Sequence, residues 1–462
     1  MHAMLTYILR RLMLMVPTLF GITIVVFAVM AAAPGGISAL TLIEGQGLEP
    51  QAQKAMEEYY NRLYGLDQPP PVQYGRWLNN ISPVGFAQDE DGSLTGWPKL
   101  KAPNLGTSFR FGRPVSDLIA ERLPITLLLN VLSIPLIYIV AVAVGVRAAT
   151  QQGQAFDSQS GVVLLALWSV PTMLAGVLLI GFFASDQFWQ WFPTGGLSQR
   201  AALDMTFLPT VEVAWAIPLL LVLPFLGAAL GIYLARYLPA LIRGGLGAAV
   251  GAFCGWLMFS DLAPAGWIST TVAMAIGVVL GWLMAHSDWG VLRGFYLGTV
   301  GLAAGFAIAL GLAPGSMVPG FLLDRAWHLV LPVLCLSYGG LAFLAKLSRS
   351  SVLENLNSDY ARTARAKGVP EHEVLWRHVF RNSLLPLITV SATLLPSLLA
   401  GSVIVEAIFS IDGMGKLAVE AVQTRDRELV LSITLISGVL TLVGYLLADL
   451  AYAIVDPRVS YD

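Results

Sequence analysis

Stretches of about twenty apolar residues recur along the chain, separated by shorter segments that hold nearly all of its charge. Ten are readable, near residues 12–33, 123–146, 160–184, 213–235, 243–260, 267–285, 293–312, 328–347, 384–405 and 429–453. A helix rises about 1.5 Å per residue, so about twenty residues cross a bilayer core, and each stretch predicts a membrane-spanning helix. The first run, Leu12 to Ala33, follows Arg10 and Arg11 and ends in Ala31-Ala32-Ala33, like a secretory signal. It is longer than the roughly 7–15-residue core of a signal, and Pro34 would follow the cut. It reads as an uncleaved first helix.

Charge sets the orientation. With the N-terminus in the cytoplasm, the segments on that side are 147–157, 236–243, 286–293, 348–383 and the tail from Asp456. The fourth, with Lys346 just before it, brings Lys346, Arg349, Arg362, Arg365, Lys367, Arg377 and Arg381 against Glu354, Asp359, Glu371 and Glu373. The opposite side holds Asp89-Glu90-Asp91, Asp186, Asp204 and Asp261. Lys and Arg concentrate in cytoplasmic loops, every short loop agrees, and an even number of spans leaves both termini inside. The longest outer segment, Pro34 to about Glu121, is rich in Pro, Gly, Asn and Gln. It predicts an extracytoplasmic excursion with short helices, one around Gln51 to Leu63.

Composition narrows the class. Of 462 residues, 56 % are hydrophobic and 12 % charged, against about 25 % charged in soluble domains, so lipid must solvate much of the surface. Lys and Arg (27) do not exceed Asp and Glu (29), and no basic domain stands apart, which argues against nucleic-acid binding. Cys254 and Cys335 lie inside apolar runs as small fillers, and the five histidines show no metal-ligand spacing. No phosphate-binding Gly-x-x-x-x-Gly-Lys-Ser/Thr loop occurs: Gly413-Met414-Gly415-Lys416 is followed by Leu417. Nor is there a Gly-x-Ser-x-Gly elbow. With neither a nucleotide-binding loop nor a hydrolase elbow, the chain reads as non-catalytic, with no cofactor of its own.

Gly247, Gly251 and Gly255 repeat every fourth residue, as do Gly290, Gly294 and Gly298, and Gly301 with Gly305. A face of small residues lets helices approach closely; packing within the chain and contact with another membrane subunit are both open. Pro17, Pro124, Pro135, Pro171, Pro218, Pro224, Pro332, Pro386 and Pro396 interrupt spans, as suits either helices that bend in use or irregular packing.

One cytoplasmic segment, Asn357 to Pro386, is more structured than a connection needs. Asn357 or Ser358 can cap a helix through Ala361, Ala364 and Ala366. Gly368 is placed to take a left-handed C′ position, with Arg365 and Lys367 in the last turn. Pro370 fits the first position of a second helix, with Glu371 and Glu373 in its opening turn. A structured, small-faced and basic segment is what a docking surface for a soluble partner needs.

Here a resemblance becomes specific. Asp359-Tyr360-Ala361-Arg362-Thr363-Ala364-Arg365-Ala366-Lys367-Gly368, followed by Arg377-His378-Val379-Phe380-Arg381-Asn382-Ser383-Leu384-Leu385-Pro386, resembles the "EAA" loop of binding-protein-dependent ABC importer permeases, in its dipeptide/oligopeptide branch. Similar to that branch too are Tyr7-Ile8-Leu9-Arg10-Arg11-Leu12, Tyr64-Gly65-Leu66-Asp67-Gln68-Pro69, Leu105-Gly106-Thr107-Ser108-Phe109, Arg122-Leu123-Pro124-Ile125-Thr126, Val405-Glu406-Ala407-Ile408-Phe409, Gly413-Met414-Gly415 and Asp456-Pro457-Arg458. The likeness covers about 1–200 and 325–462, not roughly 205–320.

The resemblance implies an all-α polytopic membrane protein: a type I importer permease core of six helices, with about four further transmembrane helices inserted. The expected division is a first helix (1–33), an extracytoplasmic region (34–121), the first part of the core (122–204), the insertion (205–320), and the rest of the core (321–462) with a coupling loop at 348–383. It implies a permease that forms the path for peptides or related solutes in the bacterial inner membrane. The expected partners are two ATPase subunits that hold ATP and magnesium, a second homologous permease, an extracytoplasmic solute-binding protein and lipid. Residues Asp359 to Gly368 would form the helix that docks on the ATPase. Glu406, at the outer end of the ninth span, could be a gate or path residue, or simply solvated; Asp449 could hydrate or find a helix partner. The rival class, an ion- or proton-coupled secondary transporter, would need titratable groups at mid-membrane and often internal repeats, neither of which is clear.

Overall fold

The computed structural model describes residues 2–32, 67–88, 94–186, 188, 190–211, 215–260, 267–313 and 317–455, together with 51, 52, 54, 55, 57, 58 and 61. The elements in chain order are α1 (His2–Ala32), α2 (Pro70–Ile81), β1 (Val84–Gln88), β2 (Leu94–Leu100), α3 (Val115–Thr150), α4 (Ala155–Ser169), α5 (Thr172–Phe183), β3 (Thr210–Val211), α6 (Ala216–Tyr237), α7 (Ala240–Ser260), α8 (Trp267–His286), α9 (Gly290–Leu312), β4 (Met317–Val318), α10 (Gly320–Leu356), α11 (Asp359–Ala366), α12 (Glu371–Glu373), α13 (Phe380–Ile408), α14 (Met414–Gln423) and α15 (Arg427–Val455). The described positions of the helix expected over 51–63 are helical; its other residues lie outside the described set, as do Asp89-Glu90-Asp91, Asp261 and Asp456-Pro457-Arg458.

The described residues of the expected spans are helical except at Val170, Pro171, Ala184 and Trp215. Among the described residues, seven helices are long and apolar enough to cross a membrane, and eight if the α4–α5 pair counts as one span. The protein is an all-α polytopic membrane protein, with two short antiparallel ladders added, β1–β2 and β3–β4. The span expected at 160–184 is not straight: α4 ends at Ser169 and α5 departs at 98°. Pro171 has no amide hydrogen and disfavours helical backbone before it, and Val170 accordingly sits at φ −83°, ψ 122°. α10 supports the break, the Tyr338 hydroxyl donating to the Val170 carbonyl at 2.7 Å. A backbone acceptor freed inside lipid needs such a donor.

Residues Met1–Ala175 and Pro332–Asp462 form one compact unit. Its core joins Val115, Leu118 and Ile119 of α3 to Met414, Leu417 and Ala421 of α14 and Leu429, Val430 and Ile433 of α15. The short α2 docks on α1 through Tyr74 and Trp77, which are buried with Phe27. The Tyr74 and Thr23 hydroxyls are 2.9 Å apart. Asp449 does find a partner: Arg11 of α1 lies 3.0 Å away, tying α1 to α15.

Residues Gly176–Leu331 form the second compact unit. α6 pairs with α9 and α7 with α8, a nested order. The pairs close on glycine. A Cβ on Gly247 or Gly251 would overlap the Gly281 or Gly277 carbonyl of α8, and one on Gly227 the Gly301 carbonyl of α9. The spacing from Gly247 to Gly255 thus serves packing within the chain; Gly294 meets open space instead, Gly290 only the far end of the Arg293 side chain, and only Gly298, Gly301 and Gly305 of α9 are in close contact. Arg243, buried, donates to the Leu238 carbonyl at 2.9 Å and the Ala285 carbonyl at 3.3 Å, capping the ends of α6 and α8 together. At the opposite end β3 pairs with β4, and the Phe321 and Leu322 amides donate to the Thr206 and Phe207 carbonyls. The entry and exit of this four-helix stretch are therefore held side by side.

Candidate functional site

The hairpin that follows α10 is built as its sequence suggests, with two adjustments. α11 ends in a Schellman turn: the Val369 amide donates to the Ala364 carbonyl at 3.2 Å and the Gly368 amide to the Arg365 carbonyl at 2.9 Å. Gly368 has φ +77°, a region costly to any residue with a Cβ. Ser358 occupies the N-cap position, but its hydroxyl donates backwards to the Asn355 carbonyl at 2.6 Å and caps nothing. Pro370 stands one place earlier than expected, as the cap before Glu371. The second helix is not separate: α12 continues through a π-helical turn, Val374–Val379, into α13. π turns inside helices recur at functional sites.

One face of α11 is seated. Ala361 and Ala364 are buried against Val146 and Ala149 of α3, Val352 of α10, and Val374 and Val379. Alanine at both positions lets the short helix lie close to its support. The other face is open: Asp359, Tyr360, Arg362, Thr363, Arg365, Ala366, Lys367 and Gly368 are exposed, and beyond the corner so are Glu373, Trp376 and Arg377. Arg365 braces the corner, its guanidinium grasping Glu371 at 2.8 and 3.0 Å and reaching the Leu356 carbonyl at 3.1 Å. The Arg365 hydrogen bond holds the Glu371 carboxyl below its ordinary range. Behind the hairpin a cavity of about 330 Å³ is lined by Leu353, Leu356, Arg365, Glu371 and Leu375 with the end of α3.

The support itself is tightly made. A Cβ on Gly145 of α3 would overlap Ser348 and the Ala345 carbonyl of α10. Arg349 grips Asp157 at the start of α4, its Nη2 at 2.8 Å. The hairpin thus sits on a body made from the ends of α3, α4 and α10.

Glu406 is elsewhere. It is fully buried, not solvated. The Thr126 hydroxyl donates to it at 2.7 Å, the Lys416 amide at 3.0 Å, and Ser402 also bonds it. It holds the turn between α13 and α14, where Gly413 is pressed against its carboxylate. On the exposed side of that turn Asp412 meets Lys416 at 2.8 Å and Arg122 at 3.1 Å. Lys416 first, then Arg122, keep the Asp412 carboxyl below its ordinary range.

Sequence reasoning missed a second buried knot. Arg425-Asp426-Arg427-Glu428 sets four charges in a row, yet the last three are buried. Asp426 accepts from Ser108 and from the Leu429 amide, capping α15. Arg427 donates to Glu428 and to Gln73 of α2. The one sequence clue was Ser108, inside a motif already noted.

Among the described residues, no group of three or more His, Cys, Asp or Glu side chains is placed to hold a metal ion. The described spans, with one charged hairpin left exposed beyond them, define a polytopic membrane protein. The chain belongs to the binding-protein-dependent transport system inner membrane component family, which it matches over residues 193–461, with the N-terminal module of that family over residues 4–130. The first range takes in 205–320, where no family motif is readable. The chain is 30 % identical to the oligopeptide transport system permease protein AppB of Bacillus subtilis (strain 168), over 99 % of this chain and all of that one. It is 28 % identical to a putative peptide transport system permease of Brucella abortus (strain 2308), over 98 % and 99 %. Against the inner membrane ABC transporter permease protein YejB of Escherichia coli O157:H7 it is 24 % identical, over 99 % of each. The protein is a multi-pass inner-membrane permease of an ABC importer, a non-catalytic component that works with ATPase and binding-protein partners.

Proposed function

We propose that this permease carries peptides into the cytoplasm, with both termini and the 348–383 hairpin on the cytoplasmic side. A soluble binding protein delivers the peptide, and a second homologous permease completes the path. Two ATPase subunits, holding ATP and magnesium, dock on the hairpin. Asp359 to Gly368 form the coupling helix. The observation that carries this reading is the hairpin itself: a short helix seated on alanines, its charged face open, its corner fixed by a left-handed glycine. The basic excess of the segment supports the orientation, and the relatives' names support the cargo. ATPase closure favours the conformation that grips the coupling helix best, and the spans follow by population shift. Glu406 belongs to the path as the anchor of the α13–α14 turn.

We further propose that 205–320 is an insertion into a six-helix core (1–33, 122–204 and 321–462, with the extracytoplasmic region 34–121). Its paired ends support this: a segment whose entry and exit are hydrogen-bonded side by side can be added without disturbing what flanks it.

The test is reconstitution of the four membrane-associated subunits with the binding protein in vesicles. ATPase activity is expected to rise with peptide-loaded binding protein, and uptake to follow ATP. Uptake that follows an imposed pH gradient in the absence of ATP would establish the ion-coupled alternative instead.

A further inference from the structure

α3 crosses an apolar layer, yet Thr126, Asn130 and Ser133 fall on it at i, i+4 and i+7, one face of a helix. All three are buried, at 2 %, 2 % and 0 % exposure. At the Thr126 end this face is fully engaged: its hydroxyl bonds Glu406 and accepts the Met414 amide at 2.8 Å. Ser402, a turn before Glu406 on α13, is buried and bonds the same carboxylate. Further along α3 the satisfaction stops. The Asn130 amide nitrogen donates to the Thr126 carbonyl at 2.7 Å, but Asn130 Oδ1 and Ser133 Oγ have no hydrogen-bond partner among the described residues. A buried polar atom left without a partner is destabilising. Leucine and alanine would fill these places without that cost, so packing in this conformation does not account for the polar atoms.

We propose that this face of α3, with Ser402 and Glu406 of α13, is a solute-contact stripe that parts during the transport cycle, where Asn130 Oδ1 and Ser133 Oγ accept the amide N–H groups of a passing peptide. The proposal rests on the reading of the chain as a peptide importer permease. Asn130 offers an acceptor, and Ser133 both an acceptor and a donor. Neither carries charge, so they recognise the backbone that all peptides share rather than any one side chain. Glu406, already bonded to Thr126 and Ser402, closes one end of the stripe and keeps it shut in the conformation described.

The test uses the whole complex, with Cys254→Ala and Cys335→Ala as background. Ser133→Cys and Asn130→Cys are made separately and exposed to a charged methanethiosulfonate, first without nucleotide, then trapped with vanadate and binding protein. A thiol reacts only where water reaches it, so each is expected to label about tenfold faster in one state than in the other, and added peptide should slow the faster reaction. Ile139→Cys, on the opposite and exposed face of α3, should show no such state dependence. Ser133→Ala, which adds no bulk, should weaken peptide uptake about tenfold through the half-saturating concentration. Thiols inert in both states, in a complex whose ATPase still answers the binding protein, would overturn the stripe alone. An ATPase that never answers the binding protein would overturn the permease reading, and the stripe with it.

Discussion

The four-helix stretch α6–α9 and the hairpin around α11 use small residues in opposite ways. In α6–α9 the glycines are spent on one another: Gly251 meets Gly277 and Gly227 meets Gly301 so closely that neither member of a pair has room for a methyl group. Nothing of that contact remains for a partner. In the hairpin, Ala361 and Ala364 seat a short helix whose charged and aromatic positions stay exposed, and a Cβ on Gly368 would meet nothing within 4 Å. Its role is purely conformational, at φ +77°. Glycine in the first region is a requirement for space; in the second it is a requirement for a backbone angle. The first makes a self-contained body and the second a presented surface.

The largest expected effect tests the first half of that contrast. Gly251→Leu drives a branched side chain into the Gly277 backbone, which cannot yield as a side chain would. Overpacking in cores costs about 1–3 kcal/mol or more, and here α7 and α8 must separate. The detergent-solubilised protein should lose thermal stability and become protease-sensitive between α7 and α8. The same substitution at Gly294, on open space, should leave both readouts unchanged. Equal behaviour of the two variants would show that spacing alone, and not the observed seam, governs this region.

Gly368→Val probes the second half. A Cβ there meets no atom within 4 Å, so the main cost is that of holding a β-branched residue in the left-handed region, roughly 1–2 kcal/mol. The complex should assemble, because α11 keeps its alanine seat, but uptake per ATP hydrolysed should fall as the corner relaxes. Gly368→Asn, which tolerates that conformation better, should restore much of the ratio. Full coupling in the valine variant would remove the corner from the mechanism.

The same contrast explains what could be read in advance. The spans were legible because lipid imposes length and apolarity together, and the corner because Gly-Val-Pro after an alanine-rich turn has few other conformations. Pro171 was visible, but not that it would turn α5 by 98°, since the outcome depends on Tyr338 of α10 being in place to take the freed carbonyl. The glycine repeats did not reveal their partners; Gly290 and Gly294 have the right spacing and pack against no other helix. Asp426, Arg427 and Glu428 could not be recognised as buried, because their burial is made by Gln73 and Ser108, more than three hundred positions earlier. Glu406 escaped for a similar reason: only the fold brings Thr126 to it.

The smallest expected effect concerns the brace across the hairpin corner. Arg365 and Glu371 are both partly in water, and such pairs contribute at most about 1 kcal/mol. The Glu371 carboxyl lies below its ordinary value of 4.5 because the ionised form is the one Arg365 grasps. A depressed folded value means the contribution is fully present above the ordinary range and disappears as pH falls through the lowered one. Near neutral pH the brace is therefore intact, and acid exchange conditions well below pH 4.5 should loosen it. Glu371→Gln should abolish that pH response while keeping the shape of the side chain. Amide hydrogen exchange at Gly368 and Val369, whose amides close the Schellman turn, reads the effect directly. If the variant and the parent protein show the same exchange across the acid range, the corner is held by its glycine geometry alone, and the ion pair across it is incidental.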